Sequence, residues 1–286
     1  MNRKYCEYII VFGHTEYDVM YAYFKDLFNS AGVLEDAVSE ERSSRTGRLV
    51  FRISGKSKSG LRALILPILM EHSQEGYAFV LCPAISPGLF SFAFFDLDNT
   101  LISAEMMVLL FGKISSGNSM QELTRLTMSG ILPFASSFIH RVHMLEGLTT
   151  DTLQAVADEM PVIPDLKDVL SVLNCPAYIV TGGFGCFARK LMSDYSFAGY
   201  LCSEPRMEDG KLKGLKEETI ILPEDKAAYI LKIAGSEQRL SHCVAVGDGA
   251  NDMEMLSVAG SAVVYNATAQ QRSKQPIRLS AILKTL

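Results

Sequence analysis

"FAFFDLDNTL", residues 92 to 101, places two aspartates at the end of an apolar run. Residues i and i+2 of a strand point to the same face, so Asp96 and Asp98 are expected side by side where the chain leaves the core. Two neighbouring carboxylates repel each other when both are ionised, and a divalent cation is the usual remedy. A pair with separated pKa values can also divide the duties of nucleophile and acid. The stretch therefore predicts a buried strand that ends in a metal-binding or acid–base site.

The chain around this stretch alternates between apolar strands and helical segments. From residue 89 onward the strand candidates are "LFSFAFF", "AYIV", "CVAV" and "SAVVY". This alternation predicts an α/β fold with a doubly wound, Rossmann-like parallel sheet. Three of the strands are followed by the polar segments "DLDNT", "TGGFG" and "GDGAND". Ligands bind beyond the carboxyl ends of the strands in such sheets, so we expect these segments to converge on one crevice.

Two insertions are predicted in this sheet. Residues 103 to about 160 have a helical pattern and are too many for a simple crossover, which indicates an inserted helical cap. "MEDGKL", residues 207 to 212, has an Asp-Gly pair between short extended pieces and predicts a β-hairpin.

The first eighty residues predict a different, smaller unit. Strands are expected at 5–13, 33–38, 47–54 and 77–82, and helices at 17–31 and 59–72. This βαββαβ order predicts a ferredoxin-like module, and it resembles the ACT-type regulatory domains that often bind amino acids. "PAISPG", residues 83 to 88, has linker composition. We therefore predict an N-terminal domain at 1–86 and a second domain at 87–286.

Composition narrows the class of partner. The 286 residues carry a net charge of −5, which gives no overall attraction to nucleic acid or to anionic membranes. The apolar clusters are too short to span a bilayer, and no apolar signal segment follows the first residues. The six cysteines form no C-x-x-C pair, as is typical of reduced thiols in the cytosol. We expect a cytoplasmic protein that acts on a small molecule.

Four motifs, in order, resemble those of the haloacid dehalogenase superfamily of phosphohydrolases. "DLDNTL" looks like the D-x-D-x-T motif, "TGGF" like the hydroxyl motif, "EDKAAYIL" with Lys226 like the lysine motif, and "VGDGANDMEML" like the acidic motif. The resemblance implies that Asp96 is the nucleophile and Asp98 the acid and base. It also implies that Asp96, Asp248 and the backbone carbonyl of Asp98 hold Mg²⁺.

The same resemblance assigns roles around the transferred phosphoryl group. Its oxygens would be bound by the Thr181 hydroxyl, the Gly182 N–H, the Lys226 ammonium and the Asn251 amide. Asp252 would support the metal ligands. These residue types fit the chemistry, because an anionic carboxylate attacks an anionic phosphomonoester only when positive charge and donors offset the repulsion.

The cap segment narrows the resemblance to the phosphoserine phosphatases. "TMSGILPFASSFIHRVHMLEGL", residues 127 to 148, looks like their substrate-binding segment. Arg141 would bind the substrate carboxylate, Glu105 the ammonium, and Met128 and Phe134 would line the pocket. The resemblance implies hydrolysis of O-phospho-L-serine through an aspartyl-phosphate, the last step of serine biosynthesis.

Two positions depart from the family pattern. Asn99 stands where serine or glycine is more usual, and "YNATA", residues 265 to 269, lacks the expected lysine and proline. The role of the N-terminal module also stays open between self-association into a homodimer and binding of an amino-acid effector.

Other interpretations remain open on the sequence alone. One is a related phosphatase or phosphotransferase that acts on another small phosphomonoester. A more distant one is a dinucleotide-binding oxidoreductase, because "GFGCFA" at 183–188 fits G-x-G-x-x-A and Glu204 follows at about the expected distance. A third is a non-catalytic amino-acid sensor. The basic run from Arg42 to Arg62 is interpreted as a solvated strand edge rather than a nucleic-acid surface.

Overall fold

The computed structural model describes residues 5–13, 17–42, 47–83, 90–114, 134–216 and 219–286. Met128, one of the predicted pocket residues, lies outside these ranges, and Phe134 is described by its backbone alone.

The secondary structure within these ranges follows the predicted order. The strands are β1 Tyr5–Gly13, β2 Leu34–Arg42, β3 Gly47–Gly55, β4 Ala78–Cys82, β5 Phe92–Phe95, β6 Ala177–Phe184, β7 Gly199–Ser203, β8 Pro205–Glu208, β9 Lys211–Leu215, β10 Cys243–Gly247 and β11 Ser261–Val264. The helices are α1 Tyr17–Ser30, α2 Lys58–Ser73, α3 Met106–Phe111, α4 Phe134–His143, α5 Thr150–Asp158, α6 Leu166–Leu173, α7 Gly185–Asp194, α8 Pro223–Ala234, α9 Glu237–Leu240, α10 Met253–Val258, α11 Ala267–Arg272 and α12 Leu279–Leu283.

The N-terminal region has the predicted ferredoxin-like arrangement. Its strands lie in the order β2-β3-β1-β4, and every neighbouring pair is antiparallel. Helix α1 buries Met20, Phe24 and Phe28, whose spacing of four places them on one face of the helix. The predicted helices and strands of this region are found, with ends that differ by a few residues.

The C-terminal region contains the predicted parallel sheet of four strands and a fifth, β7, that the sequence did not predict. The order is β11-β10-β5-β6-β7. The chain moves outward from β5 to β7 and then returns to β10 on the other side of β5. Successive side chains of a strand point to opposite faces of the sheet. Accordingly, Phe95 and Val246 belong to the buried cluster on one face, and Phe94 and Ala245 to the cluster on the other. The switch point of this doubly wound sheet therefore lies between β5 and β10.

The two regions share one sheet, which the sequence did not predict. Strand β4 pairs antiparallel with β11, with Leu81 opposite Ala262 and Phe79 opposite Val264. Among the described residues, nine strands thus form a continuous sheet. The proposed boundary between residues 86 and 87 falls within 84–89, outside the described ranges, and stays a prediction.

Arg62 corrects the interpretation of the basic run as a solvated edge. Its side chain is fully buried and pairs with the equally buried carboxylate of Glu7. Its guanidinium also donates to the carbonyl oxygens of Leu256 at 2.7 Å and Gly260 at 2.8 Å. Burial of the charge is tolerated because one carboxylate and several carbonyls satisfy its donors.

The predicted cap and hairpin are both present in the described residues. Helices α3, α4 and α5 lie between β5 and β6, and an antiparallel bridge between Ile102 and Val162 closes the base of the insertion. Strands β8 and β9 form the hairpin, with Asp209 and Gly210 at φ values of 48° and 70°. Asp and Gly tolerate this left-handed conformation, which a two-residue hairpin turn requires. In the part of the chain described here, no helix is long and apolar enough to cross a membrane.

Candidate active site

Three strands of the parallel sheet deliver polar side chains to one edge. Asp96 follows β5 and its N–H donates to the carbonyl of Val246 in β10 at 2.9 Å. Asp248 lies directly after β10, and Thr181 lies in the last half of β6. All three side chains are buried, with 1 to 3% exposed. The predicted convergence at the carboxyl ends of the strands is therefore present for these residues.

Lys226 on α8 connects two of the carboxylates. Its ammonium lies 2.7 Å from Asp96 Oδ1 and 2.7 Å from Asp252 Oδ1, and all three side chains are buried. Burial lowers the pKa of Lys226, but the two carboxylates raise it by more, so the net pKa lies above its ordinary value. The lysine is therefore a fixed positive charge at the centre of the site.

Asp252 is held on both of its oxygens. Oδ1 accepts from Lys226, while Oδ2 accepts from the backbone N–H groups of Asp248 at 3.1 Å and Gly249 at 3.3 Å. Gly247 faces this carboxylate, and a Cβ at that position would collide with it. Asp252 thus shapes the loop that carries Asp248.

Asp96, Asp248 and Asp252 offer carboxylate oxygens that lie within 4.8 Å of one another. Burial, followed by the charge of Asp252, raises the pKa of Asp96 to about 8. Burial and the charge of Glu105 raise the pKa of Asp248 well above its ordinary value. Clustered carboxylate oxygens are the ligands that Mg²⁺ prefers, and a bound cation relieves their repulsion. The residues present therefore fit a hard divalent cation.

Asp98 lies beside this cluster with a different environment. Its Oδ1 accepts the backbone N–H of Met106 at 2.7 Å, at the start of the first cap helix. Burial raises the pKa of Asp98 to about 6, although this N–H acts in the opposite direction. A carboxyl group with a pKa near 6 can release and regain a proton close to neutral pH.

The described cap residues bring one cation and one carboxylate to the site. Arg141 on α4 is 1% exposed, and Glu105 immediately precedes α3. Burial lowers the pKa of Arg141, while the charges of Glu105 and Asp98 raise it. Arg141 is therefore within electrostatic reach of Glu105 and of Asp98, the predicted acid and base.

The predicted phosphoryl-binding residues provide donors and open acceptors. The Thr181 hydroxyl oxygen accepts the N–H of Gly183 at 2.9 Å, so its own proton can be donated elsewhere. Gly182 lies between these two residues at the end of β6. Asn251 is 9% exposed, and its buried Oδ1 has no hydrogen-bond partner among the described residues. Unpaired buried polar atoms are rare, and one at this edge indicates a place for a ligand.

Asn266 is a site residue that the sequence analysis missed. Its side-chain N–H donates to Asp248 Oδ2 at 2.9 Å, and its Oδ1 accepts the N–H of Ala269 at 2.7 Å. The same side-chain nitrogen lies 3.3 Å from Gln74 Oε1 in the N-terminal region. The available signal was a polar residue soon after the fourth core strand.

The glycine loop at 183–188 is filled by side chains of this chain. The sulfur of Met106 lies against Gly183 and accepts the N–H of Phe184 at 3.1 Å. The space beside Gly185 that a side chain would occupy is filled by Glu204 and Arg189, whose charged groups form an ion pair at 2.7 Å. Glu204 is therefore engaged, and the loop lacks the open cradle that a pyrophosphate requires.

Comparison with known proteins gives a consistent family. The family model of haloacid dehalogenase-like hydrolases matches residues 93–257. A phosphoserine phosphatase of Lactococcus lactis is 33% identical over 180 residues, which are 60% of this chain and 82% of that protein. A phosphoserine phosphatase of Archaeoglobus fulgidus is 31% identical over 177 residues, 60% of this chain, and the match spans 52% of that protein.

Solved structures agree with this family in fold. A phospho-aspartyl intermediate analogue of phosphoserine phosphatase matches with a TM-score of 0.56 and 25% identity, over 60% of this chain and 85% of that chain. A probable phosphoserine phosphatase from Vibrio cholerae matches 97% of this chain and 85% of that chain, with a TM-score of 0.54 and 22% identity. The second match shows that the fold of the N-terminal region also occurs together with this core.

Proposed function

Because the chain belongs to the haloacid dehalogenase-like hydrolases, we propose that it is a phosphatase that hydrolyses O-phospho-L-serine to L-serine and inorganic phosphate. The observation that carries this proposal is the buried ion-pair centre in which Lys226 holds Asp96 and Asp252 beside Asp248. The names of the relatives support the substrate.

Mg²⁺ is the cation that we assign to the carboxylate cluster. Asp96, Asp248 and the backbone carbonyl of Asp98 would hold it, while Asp252 and Asn266 keep the loop and Asp248 in place. The ion supplies positive charge that offsets repulsion between the nucleophile and the phosphomonoester.

The first chemical step in this proposal is attack by the Asp96 carboxylate on phosphorus. The bond between phosphorus and the serine oxygen breaks, and Asp98 gives its proton to the departing alkoxide. Asp98 suits this role because burial raises its pKa to about 6. The products of this step are L-serine and an aspartyl-phosphate on Asp96.

The second step removes the phosphoryl group. Water attacks phosphorus, Asp98 takes the proton of that water, and inorganic phosphate leaves with the bond to Asp96 broken. Throughout, the phosphoryl oxygens receive hydrogen bonds from Thr181, Gly182 and Asn251, and the positive charge of Lys226 faces them. The free proton of Thr181 supports this role.

Substrate selection is assigned to the cap. Arg141 would bind the carboxylate of the substrate and Glu105 its ammonium, while Met128 and Phe134 would line the short carbon chain. The support in the described residues is that Glu105 precedes Met106, whose N–H donates to Asp98, and that the charges of Glu105 and Asp98 act on the buried Arg141.

The test is an assay of the purified chain against a panel of phosphomonoesters, with Mg²⁺ or with a chelator. We expect phosphoserine to be the best substrate and the chelator to abolish its hydrolysis. Asp96→Asn should lower kcat at least about a thousandfold without unfolding the protein. Asp158 is exposed, and Asp158→Asn should leave kcat unchanged.

Other outcomes would change the assignment. Better turnover of another phosphomonoester would replace the substrate but keep the mechanism. Transfer of phosphate to an added alcohol in preference to water would make the protein a phosphotransferase. Activity that resists the chelator would contradict the role of the cation.

A further inference from the structure

Asn99 and Thr268, from the two places that depart from the family pattern, are hydrogen-bonded to each other. The hydroxyl of Thr268 on α11 donates to the side-chain oxygen of Asn99. The side-chain nitrogen of Asn99 in turn donates to the carboxylate of Glu105. Three side chains therefore form a bridge from α11, across the loop after β5, to the start of the first cap helix.

The backbone at Asn99 explains why asparagine can occupy this position. Its φ of 53° and ψ of 7° are left-handed, which asparagine tolerates better than most residues with a side chain. The backbone N–H of Asn99 donates to the carbonyl of Ala104 at 3.1 Å, which brings the loop back toward Glu105. The turn thus directs the amide of Asn99 at the carboxylate.

The partners determine the orientation of the amide group. An ionised carboxylate only accepts hydrogen bonds, so the NH₂ end of Asn99 must face Glu105. Its oxygen then faces Thr268, whose hydroxyl can donate. Replacement of the hydroxyl by a methyl group would remove this second constraint and leave the amide free to rotate.

Glu105 retains capacity for a ligand. Among the described residues, Asn99 is the one that donates a hydrogen bond to its carboxylate, and it contacts one of the two oxygens. Glu105 is adjacent in sequence to Met106, whose N–H donates to Asp98, so it lies at the side of the site where the substrate is proposed to bind. The charge of Asp98 raises the pKa of Glu105, and the charge of Glu105 raises that of Arg141.

We propose that Asn99 is a positioning residue for the ammonium group of the substrate, and that Thr268 holds Asn99 in the required orientation. Asn99 holds one oxygen of Glu105 and leaves the other for the ammonium. This role rests on the proposed function, because it requires a substrate with an ammonium group beside its phosphate ester.

The test compares two substrates that differ only in this group. Phosphoserine carries the ammonium, and 3-phosphooxypropanoate has the same phosphate and carboxylate without it. Asn99→Gly removes the amide but keeps a residue that accepts the left-handed backbone. We expect it to raise KM for phosphoserine about ten- to a hundredfold, the effect of losing a hydrogen bond to a charged group. KM for the deamino ester and kcat for both substrates should change less than about threefold.

Thr268 gives a matched pair of variants away from the loop. Thr268→Val removes the hydroxyl and should raise KM for phosphoserine alone by several-fold, whereas Thr268→Ser keeps the hydroxyl and should resemble the wild type. The dissociation constant of phosphoserine, measured by calorimetry in an Asp96→Asn background, should rise in parallel. If Asn99→Gly does not fold, the Thr268 pair decides.

Each alternative outcome has a distinct meaning. Equal losses for both substrates would show that Asn99 shapes the catalytic loop and would overturn the proposal. Unchanged kinetics in all variants would also overturn it. Wild-type protein that hydrolyses both esters equally well would refute the ammonium subsite, and wild-type protein that hydrolyses neither would refute the proposed function itself.

Discussion

The ammonium of Lys226 lies 2.7 Å from a carboxylate oxygen of Asp96, and both side chains are almost completely buried. The same ammonium lies 2.7 Å from Asp252. One cation thus holds together two carboxylates from different loops of the sheet. Removing one partner of a buried ion pair leaves the other charge uncompensated, which costs more than the pair itself contributes.

Lys226→Met should therefore impair both stability and catalysis. We expect the free energy of unfolding to fall by about 3 to 5 kcal/mol, because the carboxylate of Asp252 is then left as a buried charge without its cation. We expect kcat to fall at least about a hundredfold, because the charge that faces the phosphoryl group is lost. Urea unfolding and steady-state assays measure the two effects.

Lys232→Met is the matched control, since Lys232 lies on the same helix but is exposed. It should change both quantities little. A Lys226→Met protein with more than a tenth of wild-type kcat would contradict the assigned role.

The carboxylate cluster predicts that Mg²⁺ stabilises the protein more at higher pH. Burial raises the pKa of Asp96 to about 8 and that of Asp98 to about 6. A carboxyl group with a raised pKa in the folded state contributes stability that is complete below its ordinary value near 4 and is lost as the pH rises through the raised value. Without a divalent cation, the free energy of unfolding should therefore decline between about pH 4 and pH 8.

Mg²⁺ replaces these protons, so its effect should grow over the same interval. Saturating Mg²⁺ should raise Tm by at least about 2 °C more at pH 8 than at pH 5.5, measured by calorimetry. Asp248→Asn should reduce the increase, and the exposed Asp158→Asn should not. An equal Mg²⁺ effect at the two pH values would refute the assignment.

The pattern of apolar residues along the chain predicted most of the strands and helices. A strand that is buried on both faces needs apolar residues at nearly every position, and such runs are visible in the sequence. Strand β1 was predicted at 5–13 and is found there, and the apolar run before Asp96 forms β5. The pairing of β4 with β11 was not predictable in this way. Which edge a buried strand adopts depends on residues far away in the chain, and periodicity contains no information about that choice.

The candidate site also contains residues that the sequence predicts and residues that it does not. Asp96, Lys226 and Asp248 belong to motifs, and the structure brings them together. The burial of Arg62 and the contact of Asn266 with Asp248 were not predicted, because both depend on partners that are distant in the sequence. A buried arginine is rare unless it is paired, and its partner Glu7 lies 55 residues away.

Arg62 joins the N-terminal and C-terminal regions, so its substitution should lower the stability of the protein. Its guanidinium pairs with Glu7 and donates to carbonyls at the end of α10, the helix that follows Asn251 and Asp252. Arg62→Met should lower the free energy of unfolding by about 3 to 5 kcal/mol, because Glu7 is left as an unpaired buried charge. Urea denaturation measures the loss.

Two further variants make this measurement specific. Arg52→Met removes an exposed ion pair with Glu35 and should cost less than about 1 kcal/mol. Glu7→Gln combined with Arg62→Met should recover part of the loss, since no charge is then buried. Equal effects of Arg52→Met and Arg62→Met would contradict this account.

Arg141 is the residue to which we assign selectivity for the substrate carboxylate. A guanidinium fits a carboxylate with two parallel hydrogen bonds, whereas lysine offers a point charge and alanine leaves the substrate anion unpaired. Arg141→Ala should therefore lower kcat/KM for phosphoserine roughly thirtyfold to several hundredfold, the effect of losing about 2 to 4 kcal/mol. Arg141→Lys should recover only part of the loss. Steady-state kinetics with purified variants give both values.

The loss should depend on the substrate. For phosphoethanolamine, which lacks a carboxylate, Arg141→Ala should change kcat/KM only slightly, because Thr181, Lys226 and Asn251 still bind the phosphoryl group. Equal losses for both esters would mean that the buried arginine supports the cap rather than the substrate, since its side chain is only 1% exposed. Circular dichroism and thermal unfolding of the variant separate these cases, because a cap defect lowers Tm and a lost substrate contact does not. No loss for either ester would point to a substrate without a carboxylate.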